Sequence, residues 1–181
     1  MESLTASIGS YSSLSVLAFA GISHLRTSRR FAFAIQLQTG LRPSYARAVA
    51  AIVTAAEILL AAAGFTAIVV DSSGALRTAM VVVAGLYGAY ALYSGFLVRR
   101  RPGVPCGCSS DDISTSIWVV ARAGALGIAA GAASRSPGEV VEWAPSADFA
   151  IAAFSAGAFA VLLWNLPAAL HRAVVVQPEP R

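Results

Sequence analysis

Five long apolar stretches restrict the fold of this 181-residue chain more than any other feature of its sequence. A helix rises about 1.5 Å per residue, so roughly 20 apolar residues cross the hydrocarbon core of a bilayer. The stretches cover residues 8–24, 46–70, 75–98, 117–133 and 147–170. They lack the apolar–polar alternation of membrane barrel strands, and backbone groups in lipid must be satisfied internally, so each stretch is predicted to be a helix.

Composition supports a chain that lies in a membrane. Hydrophobic residues make up 57% of it and charged residues 12%. We therefore predict an all-α fold, a polytopic membrane bundle of four to five transmembrane helices in one domain (residues 1–181), multi-pass in the cell membrane. The first stretch has no basic residue before it, so we expect a retained helix and not a cleaved signal peptide.

The net charge of +4, carried by thirteen Arg and no Lys, follows the predicted topology and does not indicate nucleic-acid binding. Ten Arg residues flank one set of helix ends: Arg26, Arg29, Arg30, Arg42, Arg47, Arg99, Arg100, Arg101, Arg172 and Arg181. Only Arg77 and Arg135 belong to the opposite loops. The positive-inside rule then puts the amino terminus outside and the loop after the third helix in the cytoplasm.

Two further patterns concern helix placement and packing. Residues 27–43 are too polar to span a bilayer, so they form either a short helix along the membrane interface or a plain loop. Gly127 and Gly131 in the fourth helix offer a small-xxx-small face for close packing, and Gly85 with Ala89 and Ala153 with Gly157 offer others.

The only two cysteines, Cys106 and Cys108, flank Gly107 in a polar gap between the third and fourth helices. A disulfide across one residue closes a small, strained ring, and strain makes it easy to reduce. The preceding Arg run and the following helix amino terminus favour thiolate over thiol. We interpret the pair as a redox couple and prefer this to metal binding or a passive pair, since a closed four-ligand zinc site would need a second subunit.

Three ionisable residues belong to the same half of the predicted bilayer as the cysteines: His24, Glu57 and Arg122. Glu57 lies at about 16 Å depth, where a carboxylate needs a partner or a proton. The three could form one polar cluster beneath the cysteine loop. Alternatively, Glu57 and Arg122 form a structural ion pair and His24 snorkels to the headgroups or interacts with its helix carboxyl terminus. Tyrosines of the third helix are expected only to pack or to anchor at an interface.

The pattern resembles the methylamine utilisation MauE family within the broader DoxX-like membrane proteins. The resemblance rests on residues 21–26 (GISHLR), Glu57, residues 100–108 (RRPGVPCGC), Ile113-Ser114 and residues 120–122 (VAR). It implies a small helical membrane protein that works beside a thioredoxin-like partner, outside the cytoplasm, in disulfide formation. The chain departs from the family pattern at Ser109-Ser110 and at Ala123.

The resulting hypothesis is a membrane thiol-disulfide protein. Cys106 and Cys108 would cycle between dithiol and disulfide, with Arg122, Glu57 and His24 as the other site residues. The partners would be the lipid bilayer and a thioredoxin-like or other redox protein, or a membrane complex. No cofactor is evident; a quinone is possible, but the sequence contains no quinone-site pattern that supports one. The alternative is a non-catalytic membrane subunit or assembly factor, and a transporter ranks third because polar residues are few.

Overall fold

The computed structural model of the protein describes residues 2–101, 104–105, 115–140 and 146–175. Within these ranges the chain forms α1 (Glu2–Arg26), α2 (Ser28–Thr39), α3 (Pro43–Val69), α4 (Ser73–Arg100), α5 (Ile117–Ala133), a short 3-10 helix (Pro137–Glu139) and α6 (Ala147–Val175). The predicted all-α fold is confirmed. The predicted fourth helix has the observed bounds of α5, whereas α1 begins six residues before, and α6 ends five residues after, the predicted limits.

Four of the described helices are long and apolar enough to cross a membrane: Leu4–Arg26, Pro43–Val69, Ser73–Arg100 and Ala147–Leu166. The apolar helix α5 has 17 residues, which at 1.5 Å per residue reach about 26 Å. A helix of that length can still span a thin or locally adjusted bilayer. The polytopic bundle of four to five spans is therefore confirmed.

The segment 27–43 was expected to form either a short helix or a plain loop. Residues 28–39 of it form a helix, α2, so the loop is excluded for these residues. One residue separates α2 from α1, namely Thr27, whose N–H and hydroxyl both donate to the carbonyl of Ser23, at 2.9 and 2.8 Å. Gly40 ends α2 in the left-handed region with φ of 74°, where glycine carries no steric penalty. The buried face of α2 packs Phe31 and Ile35 against the first turns of α3.

The central helix of the bundle is α1, which packs against α3, α5 and α6. Its Leu14 and Leu17 are fully buried, and so are Ser7, Ser10 and Ser13. Large apolar side chains instead point outward, such as Leu92 and Phe154 at 78% and 81% exposure. Small and polar residues between helices with an apolar exterior are typical of a bundle whose solvent is lipid.

Candidate functional site

His24 and Glu57 form a buried pair between α1 and α3. His24 Nδ1 and Glu57 Oε2 are 2.8 Å apart, and the two residues are only 4% and 1% exposed. A proton therefore lies in a hydrogen bond between an imidazole and a carboxylate, away from bulk water. The burial contradicts the expectation that His24 snorkels to the headgroups, because the ring turns inward to the one carboxylate of α3.

Two aromatic side chains complete this cluster. The Tyr90 hydroxyl of α4 donates to Glu57 Oε1 at 2.9 Å, so both carboxylate oxygens are hydrogen-bonded. Phe31 of α2 stacks on the His24 ring with a centroid distance of 3.8 Å and an interplanar angle of 2°. Four helices thus each contribute one side chain, and the cluster can form only when all four pack together. We call His24, Glu57 and Tyr90 the proton cluster.

A glycine of α1 allows the approach that this pair needs. Gly21 lies one turn before His24, and a Cβ built on it would be 2.7 Å from Ile58 Cγ1 and 3.3 Å from Glu57 Cβ. The backbones of α1 and α3 therefore pass closer beside Glu57 than any larger residue permits. This close approach brings His24 within hydrogen-bond distance of Glu57.

The proton cluster lines a cavity of about 360 Å³. Its walls are mostly apolar and come from α1 to α5, with one residue of α6. The aromatic wall residues are Phe31, Tyr87, Tyr90, Tyr93 and Trp164. A few polar side chains enter this apolar space, which is the usual composition of a small-molecule site.

Arg122 of α5 reaches the same cavity but does not pair with Glu57 among the described residues. Its guanidinium carbon lies 5.6 Å from the ring centroid of Trp164 in a cation–π contact. The hypothetical Glu57–Arg122 ion pair is therefore wrong: Glu57 pairs with His24, because the rotation of α5 turns Arg122 toward α6.

The cysteine loop joins the bundle at this same cavity. Thr115 N–H donates to the carbonyl of Val104 at 2.8 Å, which closes the base of the loop. Gln38 of α2, a cavity residue, donates from Nε2 to the Pro105 carbonyl at 2.7 Å and accepts from the Tyr93 hydroxyl at 3.1 Å. Cys106 and Cys108 themselves lie outside the described residues.

Sequence reasoning identified His24, Glu57 and Arg122 and missed three other cavity residues. Tyr90 was expected only to pack or to anchor, yet it bonds the carboxylate. The depth of Tyr90 in the membrane could have indicated this contact. Tyr90 lies ten residues from the Arg-rich end of α4 and Glu57 fourteen residues from the Arg-rich end of α3, so the two side chains lie at similar depths. Gln38 and Trp164 had no comparable signal, since their roles depend on how α2 and α6 are rotated.

Comparison with known proteins identifies one family. The model of the family described as methylamine utilisation protein MauE matches residues 1–136, which include α1 to α5, the proton cluster, Arg122 and both cysteines. No match was found among curated proteins or among solved structures.

Proposed function

We propose that this chain, which belongs to the MauE family of methylamine utilisation membrane proteins, is a thiol-disulfide redox protein whose Cys106–Cys108 pair introduces a disulfide into a partner. The observation that carries the proposal is the buried proton cluster in a cavity whose polar rim holds the base of the cysteine loop. A purely structural bundle has no need of a carboxylate and an imidazole sharing a proton in lipid.

The anchoring of the loop supports contact between the sulfurs and this cavity. Pro105, which Gln38 holds, is covalently adjacent to Cys106 and three residues from Cys108. Three residues of chain span at most about 11 Å. Covalent reach therefore limits the distance of either cysteine from Pro105, which supports access of the pair to the cavity.

The proposed exchange balances without any further reagent. A thiolate of the partner attacks the Cys106–Cys108 disulfide to give a mixed disulfide, and the partner's second thiolate resolves it. The partner gains a disulfide, while Cys106 and Cys108 receive two electrons and two protons. Reoxidation of Cys106 and Cys108 requires a two-electron acceptor, and two protons leave together with the electrons. The proton cluster, which lies in the cavity at the base of the cysteine loop, can take up a proton. Arg122 adds positive charge, which favours thiolate.

The matching partner is a thioredoxin-like or other redox protein that presents an exposed dithiol. The Arg distribution favours a cytoplasmic cysteine loop, whereas the family resemblance favours a partner outside the cytoplasm. Labelling of the two cysteines from each side of the membrane would decide where exchange occurs.

Differential thiol labelling of membranes tests the relay. Free thiols are blocked with N-ethylmaleimide, disulfides are then reduced, and newly exposed thiols are tagged with polyethylene-glycol maleimide for a gel shift. The chain has only two cysteines, so the wild type should gain two tags after reduction only. In Cys108→Ser, Cys106 should attack the disulfide of the oxidised partner in the reverse of this exchange, and the resulting mixed disulfide, which Cys108 cannot resolve, should be released by dithiothreitol.

Two results would reject the relay. One is equal tagging before and after reduction in cells with and without the partner. The other is full partner maturation with both Cys106→Ser and Cys108→Ser. Stable co-purification of such a variant with its partners would then favour the non-catalytic assembly factor.

A further inference from the structure

The relay needs an acceptor for the electrons that Cys106 and Cys108 take from the partner, and the cavity has the properties of a site for one. An acceptor that works inside a bilayer must enter from lipid, fit among apolar walls and take up protons where no water is present.

The cavity opens toward the lipid-facing exterior. Five of its lining residues are exposed, at the end of α2 and along α3 and α4: Thr39, Leu41, Val49, Ala89 and Tyr93. The side chains next to them on the outer surface, including Leu92 and Phe96, are apolar and exposed. An occupant can therefore enter sideways between α3 and α4, directly from the hydrocarbon.

The interior suits a flat ring that bears oxygen atoms. A volume of about 360 Å³ accommodates a substituted six-membered ring and the start of a tail. Aromatic side chains from three helices provide surfaces against which such a ring stacks: Phe31, Tyr87, Tyr90 and Trp164. The guanidinium of Arg122 can donate hydrogen bonds to one ring oxygen, and the proton cluster can exchange a proton with a ring oxygen.

We propose that this cavity binds a membrane quinone, which accepts the electrons of the cysteine pair. A phospholipid acyl chain would fit the apolar walls, but it has no group for Arg122 or for the proton cluster. The redox part of this inference rests on the proposed thiol-disulfide function, whereas the binding part does not.

The reaction balances as a two-electron, two-proton transfer. Two S–H bonds break at Cys106 and Cys108 and one S–S bond forms. The two electrons reduce the quinone, and the two protons end on its two oxygens to give the hydroquinone. Tyr90 and His24, bridged by Glu57, form a hydrogen-bonded route for one of these protons.

Quenching of a single tryptophan tests binding without redox turnover. Trp118 and Trp143 are replaced by Phe, which leaves Trp164 as the sole tryptophan, and Cys106→Ser/Cys108→Ser removes the thiols. This full-length chain in nanodiscs is titrated with decylubiquinone, with decanol as the matched apolar probe. We expect saturable quenching by decylubiquinone alone.

Matched variants locate the occupant. Ala89→Phe places a ring at an exposed cavity position, and it should abolish the saturable quenching, whereas Leu92→Phe, one turn along the outer face of α4, should not. Tyr90→Phe should weaken binding about tenfold, because the hydroxyl that donates to Glu57 Oε1 would turn to donate to a ring oxygen, and the variant loses that hydrogen bond. Tyr45→Phe, on an exposed tyrosine outside the cavity, should leave it unchanged.

Equal quenching in the Ala89→Phe and Leu92→Phe variants, or displacement of decylubiquinone by decanol at equal concentration, would overturn the quinone site and favour a lipid-filled cavity. Wild-type protein with reduced cysteines then tests electron transfer. One hydroquinone should form per disulfide closed. Quinone binding without thiol oxidation would reject electron transfer from the cysteines to the quinone and keep the binding site, while thiol oxidation that is independent of quinone would reject the quinone as acceptor and leave the disulfide exchange with the partner standing.

Discussion

Glu57 shows at the residue scale how a buried carboxylate is stabilised within a transmembrane helix. Both of its oxygens accept hydrogen bonds, one from Tyr90 and one shared with His24. Pairing replaces the water that the carboxylate loses, and leaving either oxygen unpaired restores a large desolvation cost. The proton cluster should therefore behave as one energetic unit.

A double-mutant cycle on His24 and Glu57 tests this unit. His24→Ala leaves one carboxylate oxygen without its partner, so we expect a loss of about 1–3 kcal/mol in the free energy of unfolding. Glu57→Gln retains an acceptor for Tyr90 and should cost less. Once Glu57 is neutral, His24→Ala should cost at least about 0.5 kcal/mol less than in the wild type. Unfolding of the purified chain by SDS in mixed micelles, followed by circular dichroism, gives these values.

Tyr45→Phe serves as the control for this cycle, because Tyr45 is exposed at the start of α3. Tyr45→Phe should not change the free energy of unfolding of either single variant or of the double variant. Strict additivity of the His24 and Glu57 effects would contradict the cluster and would leave the two residues as independent structural groups.

At the same scale, the sequence predicts how deep a residue lies but not which neighbour it meets. Counting along helices put His24, Glu57 and Arg122 in one half of the bilayer, and all three line one cavity. Counting alone could not choose between His24 and Arg122 as the partner of Glu57, because the choice depends on helix rotation. Rotation is fixed by packing against several neighbours at once.

At the scale of elements, glycines decide which helix faces meet. Gly127 packs against α4, where a Cβ would lie 3.4 Å from Tyr87 Cβ, and Gly131 would approach Ala84. Gly85 and Gly157 have nothing within 4 Å of a built Cβ. Of the three small-xxx-small faces predicted from the sequence, that of Gly127 and Gly131 therefore marks a close helix contact, whereas Gly85 and Gly157 of the other two face open space. A chain rich in Ala and Gly contains more such spacings than interfaces.

Gly21 gives the sharpest test at this scale. Gly21→Ala puts a methyl group 2.7 Å from Ile58 Cγ1, which lies near the α3 backbone and has little room to move. We expect α1 and α3 to separate, at a cost of about 1–3 kcal/mol in unfolding free energy. Because separation also breaks the His24–Glu57 bond, the cost should shrink in a His24→Ala background. The same SDS titration measures both quantities.

Gly85→Ala is the matched control, since it adds the same methyl group to open space on α4. Alanine also favours a helix over glycine, so this variant should be neutral or slightly stabilising. Equal losses from Gly21→Ala and Gly85→Ala would show that the contact beside Glu57 is not a tight one.

At the scale of the whole molecule, the proton cluster lies inside the bundle toward the Arg-rich helix ends, and the outer surface of the helices is apolar. Composition and the apolar stretches were sufficient to predict a bundle of transmembrane helices. A span needs about 20 apolar residues, and its backbone groups must be hydrogen-bonded within the helix, and both requirements are strong constraints. The helix α2 was not decided by sequence, since its polar and apolar residues fit both an interfacial helix and a loop. Its helix forms because Phe31 and Ile35 find an apolar surface on α3.

Membrane orientation is the property of the whole molecule that determines which partner can reach the cysteines. Ten of thirteen Arg residues flank the helix ends next to the cysteine loop, so the positive-inside rule predicts a cytoplasmic loop. Once the cysteines are reduced and the reductant is removed, a membrane-impermeant methanethiosulfonate should therefore label both of them in inside-out vesicles and not in right-side-out vesicles. The control is Ser73→Cys in a Cys106→Ser/Cys108→Ser background, because exposed Ser73 begins α4 at the end opposite Arg100 and should label with the reverse preference. Labelling of the native cysteines from the outside would mean that the Arg residues do not set the topology, and the exchange partner would then be an extracytoplasmic protein.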